Sequence, residues 1–158
     1  KLMEETEVLS DREVEARYEV MNEIYIKKLQ IEARVIGDLT VNHIIPTAIK
    51  FQNSLIDNVL GLKQLFSEKE FKVMTERQLA TIRKISGYIQ QLREDFHGIV
   101  NARKEANKIS SYPERAESYS QNVFPYIEKI RTTTDKLEML VDDELWPLPK
   151  YREMLFWR

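Results

Sequence analysis

Glu94 and His97 are the residues whose types and spacing come nearest to a catalytic motif in this sequence. On a helix, the Glu-x-x-His spacing places both side chains on one face, as in di-iron and di-manganese bundles. Such a site requires a second copy of the motif, but the other histidine, His43, has Thr40 where the glutamate would stand. The sequence therefore favours a surface or helix–helix histidine at position 97, with a metal-dependent bundle enzyme as an alternative.

Other catalytic chemistry has little support in the sequence. The chain has no cysteine, which excludes thiol nucleophiles, zinc–thiolate sites and disulfides. Its 4 glycines are isolated from one another, so no glycine-rich phosphate loop is present. The serines lie in predicted helices or caps without a neighbouring base. His43 lies close to Pro46 and is expected to be a structural residue.

Asp142, Asp143 and Glu144 form an acidic cluster at the predicted end of the last long helix. Carboxylates are unfavourable there because the helix dipole is negative at its carboxyl end. The cluster is therefore either a solvated terminus or a partner contact, in which a cation or a neighbouring arginine offsets the charge.

Residues 144–158 are expected to form an extended, aromatic-rich tail. Two prolines favour an extended backbone, and large apolar side chains follow at a terminus where polar residues are usual. Since such side chains dominate interface energetics, the tail either folds back on the helices or docks on another domain or subunit. The residues expected to make the docking contact are Trp146, Pro147, Pro149, Tyr151, Leu155, Phe156 and Trp157.

Long helices are expected to position all of these residues, because the chain has few glycines and only 5 prolines. Ser10 and Ser67 are typical helix N-caps with acidic residues in the turn that follows. Pro46 is expected to kink or break the first long helix. The sequence therefore predicts an all-α fold, with residues 1–143 forming an elongated antiparallel bundle of three to four long helical segments.

Apolar residues at helical spacing indicate which faces are buried. The clearest seam, on a helix predicted from about residue 68 to 108, consists of Phe71, Ile82, Ile85, Ile89, Leu92, Phe96 and Ile99. The stripe predicted for the first helix consists of Val14, Tyr18, Met21, Tyr25, Leu29, Val35, Ile36 and Leu39. A third stripe, which Pro125 interrupts, runs from Ala116 to Leu140.

Charge and hydropathy exclude two classes of partner. The 24 basic and 26 acidic residues give a net charge of −2, so no basic excess is present to bind nucleic acid. No apolar run approaches the roughly 20 residues that cross a bilayer, so no membrane partner is expected. The lack of cysteine suits a reducing cytoplasm, which is the expected location.

Two stretches of the chain resemble type III glutamine synthetases. The first is VDDELWPLPKYREMLF over Val141–Phe156, which resembles the carboxyl terminus of that family. The second is NHIIPTAIKFQNSL over Asn42–Leu55, continued by LGLK at Leu60–Lys63. A weaker similarity covers RYE at Arg17–Glu19 and LQIEA at Leu29–Ala33.

The resemblance implies that this chain is a C-terminal structural and assembly domain of a larger ligase that condenses ammonia with glutamate at the expense of ATP. The implied partners are the catalytic domain of the same chain and neighbouring subunits of a homo-oligomer. ATP and a divalent metal (Mg or Mn) are implied for the parent enzyme, and no cofactor for this segment. The chain starts at Lys1, as expected of a fragment, and we expect it to be inactive alone. A free-standing helical adaptor is the alternative.

Overall fold

The computed structural model describes residues 9–155, and all regular secondary structure in that range is helical. The α-helices are α1 (Asp11–Leu39), α2 (Ile45–Leu65), α3 (Glu68–Ala106), α4 (Tyr112–Ser118), α5 (Phe124–Glu138) and α6 (Tyr151–Leu155). Two π-helices, Thr40–Ile44 and Tyr119–Val123, join α1 to α2 and α4 to α5. The predicted all-α class is confirmed, and α3 lies close to its predicted limits.

Both serine N-caps form as the sequence predicts. The backbone N–H and the hydroxyl of Ser10 donate to Glu13 Oε2, each at 2.8 Å. The backbone N–H and the hydroxyl of Ser67 donate to Glu70 Oε2 at 3.1 and 2.5 Å. Each pair of bonds ties the first turn of a helix to its capping residue.

These bonds lower the pKa of both glutamates below the ordinary value of 4.5. The main cause is the backbone N–H of Ser10 for Glu13 and the hydroxyl of Ser67 for Glu70. Because both pKa values are lower in the folded chain, the stabilisation is present above pH 4.5. It is lost as the pH falls through the lowered pKa values.

The expected disruption near Pro46 takes the form of a π-turn, and the backbone remains helical on both sides. The N–H of Ile45 donates to the carbonyl of Thr40, five residues back, instead of the usual four. A proline has no N–H and its ring crowds the carbonyl four residues earlier, so a wider turn before it accommodates both defects. The hydroxyl of Thr40 donates to Ile36 O at 2.6 Å and caps a carbonyl in the same region.

The same arrangement occurs at Pro125. The N–H of Phe124 donates to the carbonyl of Tyr119, and the π-turn Tyr119–Val123 begins six residues before the proline. The first π-turn begins six residues before Pro46. In both places, a π-turn that begins six residues before the proline accommodates it within a helical run.

The described chain divides into two compact units. The first contains residues 9–35 and 97–128. Its buried apolar side chains are Ile26, Leu29, Ala33, Ile99, Ala106, Ala116, Tyr119, Val123 and Ile127. Within it, Asn107 Oδ1 accepts hydrogen bonds from the hydroxyl of Tyr119 at 2.7 Å and from Gln30 Nε2 at 2.9 Å. These bonds fix the turn that follows α3.

The second unit contains residues 36–96 and 129–155. Its buried apolar side chains are Ile44, Ile45, Ala48, Val59, Ile85, Ile89, Leu92, Ile130, Leu137, Val141 and Trp146. Helices α2 and α3 form an antiparallel hairpin, in which Gln52 Nε2 donates to Ile82 O at 3.0 Å and to Ser86 Oγ at 2.6 Å. The predicted α3 seam is buried at Ile85, Ile89, Leu92 and Ile99 and half-buried at Phe71, Ile82 and Phe96.

Gly98 allows a close approach within the first unit. A Cβ atom at this position would lie 2.3 Å from Cε1 of the Tyr126 ring. We expect Gly98→Ala to lower the free energy of unfolding by about 1–3 kcal/mol, because the ring must move. The control is Gly87→Ala, since an added Cβ there meets nothing within 4 Å. Because alanine suits a helix better than glycine, the control should gain about 0.5–1 kcal/mol. Equal shifts in denaturant unfolding would contradict the close approach.

Candidate functional site

The residues that suggested metal chemistry lie on the surface. Glu94, His97 and His43 are exposed, and Glu94 Oε1 accepts a hydrogen bond from Gln90 Nε2 at 3.0 Å. Within residues 9–155, no group of three or more histidine, aspartate or glutamate side chains could hold a metal ion. The structure therefore does not join the Glu94 and His97 pair to further ligands.

A lysine from the tail meets the acidic cluster at the end of α5. Lys150 Nζ donates to the carbonyls of Glu138 at 3.1 Å and Val141 at 3.5 Å, and it pairs closely with the carboxylate of Asp143. The Lys150 side chain is only 14% exposed. A cation at the carboxyl end of a helix offsets the dipole and binds carbonyls that have no helical partner. The cation that the cluster requires thus comes from this chain.

The described part of the tail begins inside the second unit and continues to its surface. Trp146 is 8% exposed and is buried by the chain's own side chains. Pro147 and Pro149 are exposed, and Leu155 at the other end is 60% exposed. The backbone is irregular around the two prolines, but Tyr151–Leu155 forms a short helix where the sequence predicted an extended path. The backbone N–H of Lys150 donates to Glu153 Oε2 at 3.2 Å, and this bond caps the short helix.

Two of the predicted docking residues, Phe156 and Trp157, lie outside the described residues. Folding back on this chain, one of the two alternatives, is seen at Trp146, and docking on another domain or subunit stays a prediction. Trp146 belongs to the core of this chain, while Met154 and Leu155 present apolar surface to solvent.

An exposed apolar surface lies on α1. We define the α1 face as Val14, Tyr18, Met21 and Tyr25, whose exposed fractions are 41%, 56%, 69% and 39%. The steps of four, three and four place these side chains on one stripe of the helix. The stripe predicted for this helix is therefore buried only in part, since Leu29 is buried and Ile36 and Leu39 are half-buried.

The buried stripe of α1 has a different composition. It consists of Ile26, Leu29 and Ala33, and it starts only in the second half of the helix. Leu29 is the residue that it shares with the stripe predicted from the sequence.

A second apolar surface lies where α2 turns into α3. We define the α2–α3 tip as residues 63–83, in which Leu65 and Val73 are 77% and 78% exposed. A cavity of about 450 Å³ opens there between Phe66, Phe71 and Leu79, and an adjoining cavity of about 350 Å³ lies beside Val73. Charged side chains of both signs line the two cavities as well, so the pockets of the tip are mixed in character; these residues are Lys63, Glu68, Lys72, Glu76 and Arg83.

Fold and surfaces together define an all-α domain whose described surface includes exposed apolar patches. Its residues 1–63 match the family model of the glutamine synthetase C-terminal domain. The chain belongs to the glutamine synthetase C-terminal domain family, which confirms the resemblance seen in the sequence.

Three relatives extend the similarity over the remainder of the chain. A glutamine synthetase of Bacteroides fragilis (strain YCH46) is 44% identical over 149 residues, which are 94% of this chain and 20% of the relative. A type-3 glutamine synthetase of Dictyostelium discoideum is 28% identical over the whole chain and 22% of its own length. A glutamine synthetase of Butyrivibrio fibrisolvens is 20% identical over 94% of the chain and 21% of its own length. The chain spans about a fifth of the length of these curated relatives.

Within the part of the chain that the structure describes, no helix combines the length and the apolar character needed to cross a bilayer.

Proposed function

We propose that this chain is a structural and assembly domain of a type III glutamine synthetase. In this proposal, the remainder of a longer protein carries out the ATP-dependent ligation of ammonia to glutamate. The observation that carries the proposal is the exposed α1 face. Contiguous exposed apolar side chains on a folded domain mark interaction sites, because leaving them in water is costly.

The partners that fit this role are the catalytic domain of the same protein and neighbouring subunits of a homo-oligomer. The α1 face is the principal contact in the proposal, and the exposed end of the tail at Met154 and Leu155 is a second one. The cytoplasm is the proposed compartment, in keeping with a chain that has no cysteine.

The implied ATP and divalent metal do not fit the residues of this chain. The described residues provide no group of three acidic or histidine side chains for a metal, and the sequence has no glycine-rich loop for phosphates. In the proposal, both ligands bind beyond this chain, and no step of the reaction passes through its side chains. Purified alone, the chain should form no glutamine from ATP, glutamate and ammonia.

The proposal is tested by Tyr18→Ser with Met21→Ser in the complete reading frame that encodes this chain. Because both side chains are exposed, the fold should be retained while apolar contact area is lost. We expect subunit dissociation constants to rise at least about tenfold, measured by sedimentation velocity at several concentrations. The control is Met139→Ser, since Met139 is 85% exposed and lies outside the α1 face.

An unchanged assembly in the Tyr18→Ser, Met21→Ser double variant, with normal helical content, would refute the assembly role of the α1 face. A free-standing helical adaptor remains the second candidate, since the same face could bind an unrelated partner. A complete reading frame without synthetase sequence would favour the adaptor, whereas one with the synthetase sequence would remove it.

A further inference from the structure

The first half of α1, which we define as Asp11–Tyr25, contributes no buried side chain to its own unit. All side chains from Asp11 to Met21 are exposed, and the first buried side chain of the helix is Ile26. A helix that packs against its neighbours along its whole length buries a side chain in about every turn. The first half of α1 is therefore a regular helix that the described chain leaves uncovered.

Apolar side chains occupy a wide arc of this first half. Besides the α1 face, Val20 and Ile24 are 53% and 47% exposed. At about 100° per residue, these two residues and the α1 face together span roughly 160° of the helix circumference. Glu13 and Arg17 lie in the same arc, and their opposite charges give it no net sign. An apolar arc of this width fits a groove that contacts a helix on two sides.

The apolar arc and the buried stripe of α1 point in different directions. In the second half of the helix, Ile26, Leu29 and Ala33 are buried in the first unit. The centre of the apolar arc is rotated from this stripe by about one third of a turn. In the first half, the side in line with the buried stripe is acidic and consists of Asp11, Glu15 and Glu19. The helix thus turns one side to its own unit and another side to a second body.

The proposed function supplies a second body close to Asp11. This chain spans about a fifth of the length of its relatives, and the matched model describes a C-terminal domain. In the proposed function, the remainder of the protein therefore precedes Lys1. Ten residue steps separate Lys1 from Asp11. Since a fully extended chain of that length spans at most about 36 Å, the preceding polypeptide is held within reach of the arc.

This covalent connection favours the preceding polypeptide over a separate molecule. A short connection between two surfaces gives an effective concentration on the order of millimolar, which a free partner would have to match in order to compete. The charges of the arc do not select a partner, because they offset each other. Proximity therefore decides between the two kinds of partner.

We propose that the first half of α1 docks in an apolar groove of the polypeptide that precedes Lys1 in the same protein. Met21 lies near the middle of the apolar arc, so it and Tyr18 would be the deepest contacts. This inference rests on the proposed assembly function, for which it names the partner of the α1 face. The docked helix would hold this domain in the orientation in which it joins neighbouring subunits.

The test is photochemical cross-linking in the complete protein, with benzoylphenylalanine in place of Tyr18. On illumination, this side chain inserts into a C–H bond of a group in contact with it. We expect a cross-link within one polypeptide, which keeps the monomer mass on a denaturing gel. Peptide mapping by mass spectrometry should place the second end of the cross-link in the sequence before Lys1.

The matched control has benzoylphenylalanine in place of Glu15, which is exposed on the acidic side of the same helix. It should form no cross-link to the sequence before Lys1. A product of twice the monomer mass from position 18 would overturn the inference, because the helix then contacts another copy. The absence of a cross-link from position 18 would overturn it too, as would equal yields from the two positions.

Hydrogen exchange in the complete protein gives a second measurement. With Tyr18→Ser and Met21→Ser, amide exchange over Val14–Tyr25 should become at least about tenfold faster, because a helix without its partner opens more often. Met139→Ser, at an exposed position outside the α1 face, should leave this exchange unchanged. If the double variant exchanges like the parent protein, the first half of α1 is not docked through these side chains.

The two proposals can fail separately. If position 18 cross-links within one polypeptide but Tyr18→Ser with Met21→Ser leaves subunit assembly unchanged, the docking stands and the assembly role of the α1 face is wrong. If the double variant weakens assembly and the cross-link joins two copies, the assembly role stands and the docking within one polypeptide is wrong. If assembly is unchanged and no cross-link forms, both proposals are wrong.

Discussion

Replacing Leu92 by alanine is expected to lower the free energy of unfolding by about 2–5 kcal/mol. Leu92 has no exposed surface and lies on α3 in the core of the second unit, between the buried side chains Ile89 and Asp95. Truncation removes buried apolar contacts and leaves a cavity that close-packed neighbours fill only in part. Denaturant unfolding followed by circular dichroism at the helix band measures the loss.

Val73→Ala is the matched control for Leu92→Ala. Val73 lies on the same helix and is 78% exposed, so its truncation should change the stability by less than about 0.5 kcal/mol. A loss below roughly 1 kcal/mol for Leu92→Ala would contradict the buried seam. If Leu92→Ala does not fold, Leu92→Met conserves volume and should cost less than about 1.5 kcal/mol.

The limits of the helices were largely predictable because their signals are local. Ser67 caps α3 through hydrogen bonds to a residue three positions away, and Pro113 lies in the first turn of α4, where a missing N–H costs little. The α3 seam was predictable as well, because a repeat of three and four along a long helix has one consistent face. Local chemistry and a sustained period were enough for these features.

The buried face of α1 could not be predicted from apolar content. Tyr18 and Met21 are large and apolar but exposed, whereas the small side chain of Ala33 is buried. Small side chains are buried where a neighbouring helix approaches closely, and this approach depends on the rest of the fold. A helix with an extra apolar face indicates a second binding surface, and this is the signal that the sequence contained.

The conformation of the backbone near its prolines could likewise not be predicted from the sequence. Pro46 and Pro125 predict a local disturbance, since each lacks an N–H. Whether the helix breaks or widens by one residue depends on the packing on either side. Thr40 and Tyr119, the first residues of the two π-turns, are both fully buried, so core packing holds each turn in place.

The acidic cluster also combines a local feature, which the sequence predicts, with a contact from a distant residue, which it does not predict. The sequence indicated only that carboxylates such as Asp143 are unfavourable at this helix end, and it left open whether they are solvated or offset by a cation. It could not indicate that Lys150, beyond two prolines, returns to the end of α5. Trp146 lies in the segment between Asp143 and Lys150, and it is buried in the second unit.

Replacing Trp146 by alanine is expected to lower the free energy of unfolding by about 3–5 kcal/mol. The indole is 8% exposed, and it is covered by this chain without any partner. Trp146→Phe keeps much of the apolar area and should retain part of the stability. Unfolding by denaturant, followed by circular dichroism, compares the two variants with the parent chain.

Leu155→Ala is the control within the same tail, because Leu155 is 60% exposed and its truncation should change the stability by less than about 0.5 kcal/mol. A large loss of stability for Trp146→Ala with none for Leu155→Ala would show that the tail before Lys150 belongs to the core. The part after Lys150 would then lie on the surface. If Trp146→Ala costs less than roughly 1 kcal/mol, the indole is not part of the core. The whole tail would then be available for docking on another domain or subunit.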